Sequence, residues 1–419
     1  MSGATTAGDR HVSIDAVRGF AVLGILLMNI VGMGLPTFAY LNPTYAGGSE
    51  GADLWTWAIN SVFTDGKMRA LFTMLFGASA VLIAGRAEGQ TPGPAQTHNR
   101  RAFWLFVIGM LHAYFLWFGD ILTCYAVAGL FIFPFRKLNP RLLIGVGAVI
   151  LIALLTHNVL LSQHLDALKA AATAPGATPA ALKAWADAAQ VIDPPAAMAA
   201  QEIAGFGGTF MQALKARANV AMLMQLVLLP TDGLPEAIGQ MFVGMGLFQL
   251  GFFTLGWSSR AYRLMIGFGY LVAAPFTAWL SYKIWQTGFE PLKLHNLEVW
   301  QQSTRPFIAL AHASVLLLII RAGMFTRLTE RLAAAGRMAF SNYLMTSIIT
   351  TLVFCGFGFG LYGQLERYEL YYVVPGVWAF ILIWSKPWLA RFHYGPFEWL
   401  WRSLVKWSPQ PFVKAPLNA

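Results

Sequence analysis

The feature that most constrains this chain is a long apolar stretch near its start, residues 14–30, that contains three strongly polar side chains. Asp15, Arg18 and Asn29 are separated by 3 and 11 residues, which are close to whole turns of an α-helix, so all three share one face. Two interpretations of Asp15 and Arg18 stay open: an ion pair at a membrane interface, or part of a site inside the bundle. Asn29 is about 16 Å deeper than Arg18 along the helix axis, which an interfacial position does not explain.

Composition extends the membrane interpretation to the whole chain. Hydrophobic residues make up 57% of it and charged residues 11%, against about 25% charged in a soluble domain. The net charge of +10 therefore indicates no nucleic-acid partner, because Lys and Arg accumulate on the cytoplasmic side of membrane proteins. Cys124 and Cys355 lie in apolar runs and are expected to be small core residues. We predict an all-α, polytopic helical bundle in a lipid bilayer, without a disulfide, a metal site or a cleavable signal peptide.

Apolar runs with polar flanks predict about ten membrane spans. The predicted spans are residues 14–35, 68–86, 102–118, 120–135, 141–161, 236–255, 263–283, 306–321, 338–360 and 370–386. Alternating these spans from residue 14 places the Arg-rich loops on one side, so we expect both termini to be cytoplasmic. Segments 53–63 and 218–230 are too short to cross and are expected to be interfacial or re-entrant. No Gly or Pro interruption marks a broken central span.

Three parts follow from this span count. Residues 1–161 form a five-span half that carries the candidate site, and residues 236–419 form a second five-span half with an amphipathic cytoplasmic tail. Between them, residues 162–235 form a loop on the outer, periplasmic side with interfacial helices. Within this loop an Ala-rich segment predicts a short surface helix, and the loop is either a linker or a lid.

His112 is the strongest candidate for chemistry. It lies two turns below the outer surface, in a helical hairpin whose turn carries Asp120. Because imidazole titrates near neutrality, a His oriented by a carboxylate or an amide is suited to general-base catalysis. Asp120 is within reach if the hairpin folds back, and Asn29 lies at a compatible depth. The alternative is a buried neutral His that bonds a neighbouring helix.

Other polar groups inside the spans are weaker signals. Asp65, Lys67 and His312 are candidate substrate-binding residues, although His312 could equally bond a backbone carbonyl. Arg69, one turn into the second span, needs an anionic partner or water. The cytoplasmic arginines follow from the positive-inside bias, or some of them bind a phosphorylated ligand through their guanidinium forks.

Several motifs together resemble the YeiB-like family of bacterial inner-membrane proteins. The similarity is carried by Asp15-Ala-Val-Arg-Gly-Phe, by Lys67-Met-Arg-Ala-Leu-Phe, by Gly119-Asp-Ile-Leu-Thr-Cys-Tyr and, near the C-terminus, by Gly336-Arg-Met-Ala-Phe-Ser-Asn-Tyr and Tyr394-Gly-Pro-Phe-Glu-Trp. The last two resemble the domain of unknown function 418. The resemblance implies a multi-pass protein of the bacterial inner membrane, grouped with transmembrane acyltransferases.

That grouping implies an activity and a set of roles. Members of the wider group move an acyl group from cytoplasmic acyl-CoA to an acceptor on the far side, with a His as base. Where glycan acyltransferases have a His eleven residues after the Arg, this chain has Asn29, so His112 becomes the expected base. Asn29 and Asp120 would then stabilise the oxyanion and orient the imidazole. The CoA phosphates would meet the arginines of the inner mouth, Arg18, Arg69, Arg100, Arg101 and Arg337.

The expected function is therefore transfer of an acyl group, acetyl in the first instance, to a glycan hydroxyl or another small-molecule acceptor. Acetyl-CoA would be the donor, no metal is required, and a homo-oligomer is possible. The alternative function is a non-enzymatic transporter, or a lipid-binding protein, for a small anion or headgroup.

Overall fold

The computed structural model describes residues 12–86, 88–89 and 92–414. In these residues the regular secondary structure is helical, without a named strand, and turns and loops connect the helices. The polar N-terminal segment and residues 415–419, which bear on the prediction of cytoplasmic termini, lie outside the described residues. The α-helices, numbered α1 to α19 in chain order, are Val12–Gly34, Thr37–Leu41, Gly51–Phe63, Lys67–Arg86, Pro94–Phe115, Leu122–Ile132, Pro140–Thr173, Pro179–Ile192, Ala196–Phe206, Phe210–Leu223, Leu234–Gln249, Ser259–Phe268, Ala274–Gln286, Pro291–Gln302, Arg305–Arg321, Thr326–Arg337, Ala339–Phe354, Val373–Arg391 and Pro396–Lys406.

The membrane class is supported by five helical segments, among the described residues, that are long and apolar enough to cross a bilayer. These segments are Val12–Gly34, Gly51–Gly85, Pro140–Thr173, Ser259–Gln286 and Glu369–Arg391. A sixth exists if α14 and α15, which meet at a bend of 49°, form one span. The ten predicted ranges all overlap helices, but only five or six segments of the described residues are long and apolar enough to span. A count of ten spans therefore stays a prediction.

The bend between α14 and α15 corrects one expectation. The sequence predicted no broken central span, but here the two helices are separated at Ser303 and Thr304. Proline at the second position of α15 gives no backbone N–H to continue α14. The chain therefore contains a broken apolar segment beside buried polar residues.

Helix α1 is the central element, since 83% of its apolar window is buried in the bundle. It packs against α16 through two glycines. A Cβ atom on Gly19 would collide with the Leu332 carbonyl, and one on Gly336 would collide with the Asp15 carbonyl. Only glycine permits this approach of two helix backbones, and the approach brings Arg337, at the end of α16, beside Arg18 of α1.

The connection between the two halves is more helical than expected. Helix α7 continues to Thr173, and the predicted surface helix is confirmed as Pro179–Ile192. Segment 218–230, which was predicted to be interfacial or re-entrant, continues from α10 into a π-helical stretch, Met224–Gly233, that leads into α11. Pro230 within this stretch lacks the backbone N–H of a regular α-helix, consistent with the wider turn.

Candidate functional site

A cavity of about 220 Å³ lies at the end of the bundle where α1 begins. Parts of α1, α4, α5, α6, α16, α17 and α19 form its walls. Four arginines line it, Arg18, Arg101, Arg337 and Arg402, together with two carboxylates, Asp15 and Glu398, and with aromatic and aliphatic side chains. The cavity therefore combines a cluster of positive charge with an apolar wall, an environment suited to an anionic group on a partly apolar ligand.

Helices and aromatic rings hold these guanidinium groups in place. Arg18 pairs with Asp15 one turn earlier, at 2.9 Å, and its other terminal nitrogen donates to the Ser79 hydroxyl at 3.0 Å. Arg101 stacks over the Trp401 ring, with its guanidinium carbon 4.0 Å from the ring centroid. The predicted ion pair of Asp15 and Arg18 is confirmed, and both residues line the cavity.

The amphipathic tail predicted around residues 391–402 contributes the last wall of the cavity. It forms α19, and Trp401 donates its indole N–H to the Arg101 carbonyl of α5 at 3.1 Å. Glu398, on the same helix, accepts hydrogen bonds from the backbone N–H groups of Phe340 and Ser341, at 2.8 and 3.0 Å, and from the Ser341 hydroxyl. Burial raises the pKa of the Glu398 carboxyl above its usual value, and these hydrogen bonds offset only part of that rise. The helix is thus fixed to α5 and α17.

The cavity is deep along the helix axes. Its wall on α4 runs from Ile83 to Phe72, eleven residues or about 16 Å at 1.5 Å per residue. Leu122, Tyr125 and Tyr343 line it as well. Its volume is below the several hundred cubic ångströms of a typical ligand pocket, so it accommodates one part of a long ligand.

His112 belongs to a buried chain of three polar side chains. Its Nδ1 lies 2.9 Å from Oδ1 of Asp120, and its Nε2 lies 2.8 Å from the Ser347 hydroxyl. The His112 and Asp120 side chains are each 1% exposed, and Ser347 is fully buried. The predicted pairing of His112 with Asp120 is confirmed, and Ser347 of α17 completes a serine–histidine–aspartate arrangement.

The hairpin of α5 and α6 positions this group. Asp120 lies in the turn, and its second carboxylate oxygen accepts from the Thr123 backbone N–H at 2.8 Å, at the start of α6. A Cβ atom on Gly109 would collide with Thr123 and with the Asp120 carboxylate. Glycine at position 109 therefore lets α5 approach the turn closely enough for His112, one turn further on, to reach Asp120.

Tyr343 connects the cavity with the three-residue group. It lines the cavity, its ring centroid lies 5.0 Å from that of His112, and it precedes Ser347 by one turn of α17. Two further buried groups lie beside His112 and Asp120: the indole N–H of Trp117 and the hydroxyl of Thr123, neither of which has a hydrogen-bond partner among the described residues. The Trp117 ring lies edge-on to His112, with 6.5 Å between centroids.

A second polar cluster occupies the opposite end of α4. Glu236 of α11 accepts from Arg69 at 3.0 Å and from Arg305 of α15 at 3.1 Å. Lys67 is 1% exposed and donates to the Ser61 carbonyl, while Asp65 accepts from the Tyr40 hydroxyl at 2.7 Å. The anionic partner that the sequence required for Arg69 is therefore Glu236.

The structure separates residues that the sequence grouped together. Arg69 and Ser79, the α4 contact of Arg18, are ten residues or about 15 Å apart along α4, so Arg69 and Arg18 do not share one mouth. Arg100 does not line the cavity, although its neighbour Arg101 does. Asn29 is buried, but no hydrogen bond joins its side chain to His112 or Asp120 in the described part of the chain. Its role in stabilising an oxyanion stays a prediction.

His312 bonds a backbone carbonyl, which is the alternative to substrate binding that the sequence analysis left open. Its Nδ1 lies 2.6 Å from the Tyr270 hydroxyl, and its Nε2 lies 2.8 Å from the Phe63 carbonyl. Both ring nitrogens are thus engaged by neighbouring helices. In the described ranges no group of three or more His, Cys, Asp and Glu side chains is arranged to hold a metal ion.

Sequence reasoning missed the residues contributed by distant helices. Ser347 gave no signal of its own, since it lies six residues after Ser341 in a run of small polar residues that suit helix packing. Arg402 was visible only as part of the tail, and Glu236 only as an acidic residue in the first turn of a span. Ser347 lies 235 residues from His112 in the sequence, and Glu236 lies 167 residues from Arg69 and 69 from Arg305.

Comparison with known proteins finds relatives that are described as uncharacterized. The family model described as "Protein of unknown function (DUF418)" matches residues 247–408. The uncharacterized protein YeiB of Escherichia coli (strain K12) is 29% identical to this chain, over 97% of the chain and 98% of the relative. The chain is therefore similar to YeiB-like proteins over nearly its whole length and to the DUF418 family over residues 247–408. A second relative, the uncharacterized protein YxaH of Bacillus subtilis (strain 168), is 28% identical to this chain over 98% of both chains.

No solved structure matches the chain. Within this YeiB-like protein, the DUF418 match includes Arg337, Tyr343, Ser347 and Arg402. The other half of the site, Arg18, Arg101, His112 and Asp120, precedes the matched region. The resemblance that the sequence motifs carried is confirmed for the family, and it leaves the reaction open.

Proposed function

We propose that this protein is a transmembrane acyltransferase that uses an acyl-CoA, in the first instance acetyl-CoA, as its donor. The observation that carries the proposal is a cavity lined by four arginines and by Tyr343, whose ring lies 5.0 Å from that of His112, itself paired with Asp120. Guanidinium groups suit the phosphates of the donor, and the apolar wall suits its arm and acyl group. The acceptor is a glycan hydroxyl or another membrane-linked alcohol.

The distribution of groups along α5 supports a donor that enters from one face. Arg101 and His112 are eleven residues apart on this helix, or about 16 Å along its axis. A long, narrow donor held by its phosphates at Arg101 would extend toward His112. In our proposal about ten spans place the arginine cavity on the cytoplasmic side of the bacterial inner membrane, together with both termini.

In this scheme His112 acts as general base. Asp120 accepts from Nδ1, which fixes the tautomer whose Nε2 has a free electron pair. That nitrogen removes the proton of a hydroxyl as the hydroxyl attacks the thioester carbon. General-base catalysis of this kind contributes about 10²- to 10⁴-fold to a rate.

Binding of acetyl-CoA to the detergent-purified protein, measured by calorimetry, tests the first part of the proposal. Arg101→Ala removes a guanidinium group from the cavity, whereas Arg100→Ala removes its neighbour, which does not line it. A charge-assisted hydrogen bond to phosphate is worth about 1.5–3 kcal/mol, so Arg101→Ala should weaken binding by about 10- to 150-fold. Arg100→Ala should bind nearly as wild type does. Equal effects of the two substitutions, or no binding by folded wild type, would contradict the proposal.

The broken span between α14 and α15 favours a second candidate function, a transporter for a small anion. Discontinuous helices with ionisable residues near the break are common at transporter binding sites. Arg305 begins α15 at this break and pairs with Glu236. If acetyl-CoA does not bind, uptake of labelled acetate or phosphate into proteoliposomes, lost in Arg305→Ala, would establish this alternative.

A further inference from the structure

We propose that Ser347 is a covalent nucleophile, which takes the acyl group from the donor thioester before the acceptor receives it. This inference rests on the proposed acyltransferase function and specifies its chemistry. His112 and Asp120 were predicted to be catalytic from the sequence, whereas no role was predicted for Ser347. It lies on α17, 235 residues from His112 in the sequence, so the pairing is a product of the fold.

The hydrogen bonds within α17 distinguish Ser347 from its neighbours. Hydroxyls in a helix ordinarily donate to the carbonyl four residues earlier. Thr346 does so at 2.8 Å and Thr350 at 2.9 Å. For Ser347 the corresponding oxygen, the Tyr343 carbonyl, is 3.4 Å away, while Nε2 of His112 is at 2.8 Å. The shorter contact indicates that the Ser347 hydroxyl donates to the imidazole.

The direction of this hydrogen bond is the one that activates a serine. With Asp120 accepting from Nδ1, Nε2 carries the free electron pair and can take the Ser347 proton. A serine hydroxyl is a weak nucleophile on its own, and an adjacent, oriented imidazole raises its reactivity. The order of carboxylate, imidazole and hydroxyl is that of hydrolases with a catalytic triad, which arises on unrelated folds.

Unsatisfied donors beside the triad point to a missing partner. The indole N–H of Trp117 and the Thr123 hydroxyl are buried without a hydrogen-bond partner among the described residues. A buried donor left unpaired is unfavourable by about 1–3 kcal/mol, so such groups are uncommon unless a ligand or water satisfies them. The Trp117 ring lies 6.5 Å from the His112 ring between centroids, and the Thr123 backbone N–H donates to Asp120, so either residue could donate to the oxyanion that forms when a carbonyl is attacked.

The acyl group passes first to Ser347 and then to the acceptor. His112 takes the proton of the Ser347 hydroxyl, and Oγ forms a bond to the thioester carbonyl carbon. The carbon–sulfur bond breaks, the sulfur leaves with its electron pair and receives the proton from His112, and free CoA thiol is released. In the second half, His112 takes the proton of the acceptor hydroxyl, the new oxygen–carbon bond forms, and the proton returns to Ser347 as the serine ester breaks.

Tyr343 controls access to the triad. Its side chain separates the cavity from His112 and Ser347, because it lines the first and contacts the second. Its hydroxyl accepts only a long hydrogen bond, 3.4 Å, from the Ile121 backbone N–H. Rotation of this ring would open the inner end of the cavity to the Ser347 hydroxyl.

Release of CoA in the absence of any acceptor tests the inference. Purified protein is mixed with acetyl-CoA, free CoA is measured chromatographically over time, and intact mass spectrometry detects the acylated protein. Wild type should release a stoichiometric burst of CoA and gain one acetyl group, which peptide analysis places on Ser347; such a burst is the kinetic signature of a covalent intermediate. Ser347→Ala should lose both the burst and the mass gain. Ser347→Cys should form a thioester that neutral hydroxylamine removes.

A matched serine separates chemistry from packing. Ser314 is also fully buried in a helix, and its hydroxyl donates to the Leu310 carbonyl at 2.7 Å, so Ser314→Ala should keep the burst. If Ser347→Ala binds acetyl-CoA and still releases the burst, or if the acetyl group is on another residue, the inference is wrong while the acyltransferase proposal survives. If wild type does not bind acetyl-CoA at all, the proposed function itself fails.

Discussion

Replacing Asp120 with Asn tests whether the orientation of His112 matters for activity. The carboxylate accepts two hydrogen bonds, from His112 Nδ1 at 2.9 Å and from the Thr123 backbone N–H at 2.8 Å. An amide offers one acceptor oxygen and one donor nitrogen. If its oxygen stays with Thr123, its NH₂ group faces Nδ1, which must then be unprotonated. The imidazole proton moves to Nε2, and this nitrogen can no longer act as a base.

The expected loss of activity follows from that change of tautomer. General-base catalysis contributes about 10²- to 10⁴-fold, so the rate of CoA release from acetyl-CoA should fall by a similar factor in Asp120→Asn. The opposite orientation of the amide leaves one buried donor without an acceptor and reduces stability by about 1–3 kcal/mol. Thermal unfolding in detergent measures this second effect independently of activity.

An exposed aspartate provides the control for this substitution. Asp187 of α8 is 60% exposed and pairs with Lys183 on the protein surface, so Asp187→Asn should change neither CoA release nor unfolding. If folded Asp120→Asn released CoA at the wild-type rate, His112 would not act as a base in the tautomer that the structure indicates. The triad would then be a buried structural network.

Two further predictions concern the walls of the cavity. Gly336→Ala places a methyl group against the Asp15 carbonyl and should destabilise the protein by about 1–3 kcal/mol, measured by thermal unfolding. The control is Gly267→Ala in α12, where a methyl group would meet open space; it should be neutral or stabilising by up to about 1 kcal/mol. Equal melting temperatures of the two variants would contradict the close α1–α16 contact. Burial raises the pKa of the Glu398 carboxyl, so the folded protein binds the carboxyl proton more tightly than the unfolded chain does. The protonated carboxyl therefore contributes to the free energy of unfolding below about pH 4.3, and this contribution is lost as pH rises through the raised pKa. Glu398→Gln should flatten the unfolding temperature across that range, and an unchanged pH profile would show that Glu398 titrates normally.

The sequence was informative where chemistry and helix period act locally. The three-residue spacing of Asp15 and Arg18 predicted their ion pair, and the length of the α5–α6 turn predicted that Asp120 would reach His112. The surface helix in the central loop followed from alanine content. In each case the interacting residues lie within about two turns or one hairpin of each other.

Interactions between distant helices were beyond these patterns. In a membrane bundle nearly every helix face is apolar, so hydrophobic periodicity does not indicate which helices are neighbours. Arg69 and Arg18 looked equivalent as basic residues near span ends, yet they belong to different clusters. Ser347 gave no signal in the sequence, because its contact with His112 exists only once α17 is placed against α5. Likewise, Pro306 is visible in the sequence at the bend between α14 and α15, but the pairing of Arg305 with Glu236 beside it is not.

The division of the site across the chain has a consequence for how this family is delimited. The region that the DUF418 model matches, residues 247–408, holds Ser347 and Arg337 but neither His112 nor Arg101. Excised from the chain, this region would retain the proposed nucleophile without the residue proposed as its base. Inheritance of the activity proposed here would require both segments to be kept together, so a gene that encodes the matched region alone should be assigned a different role.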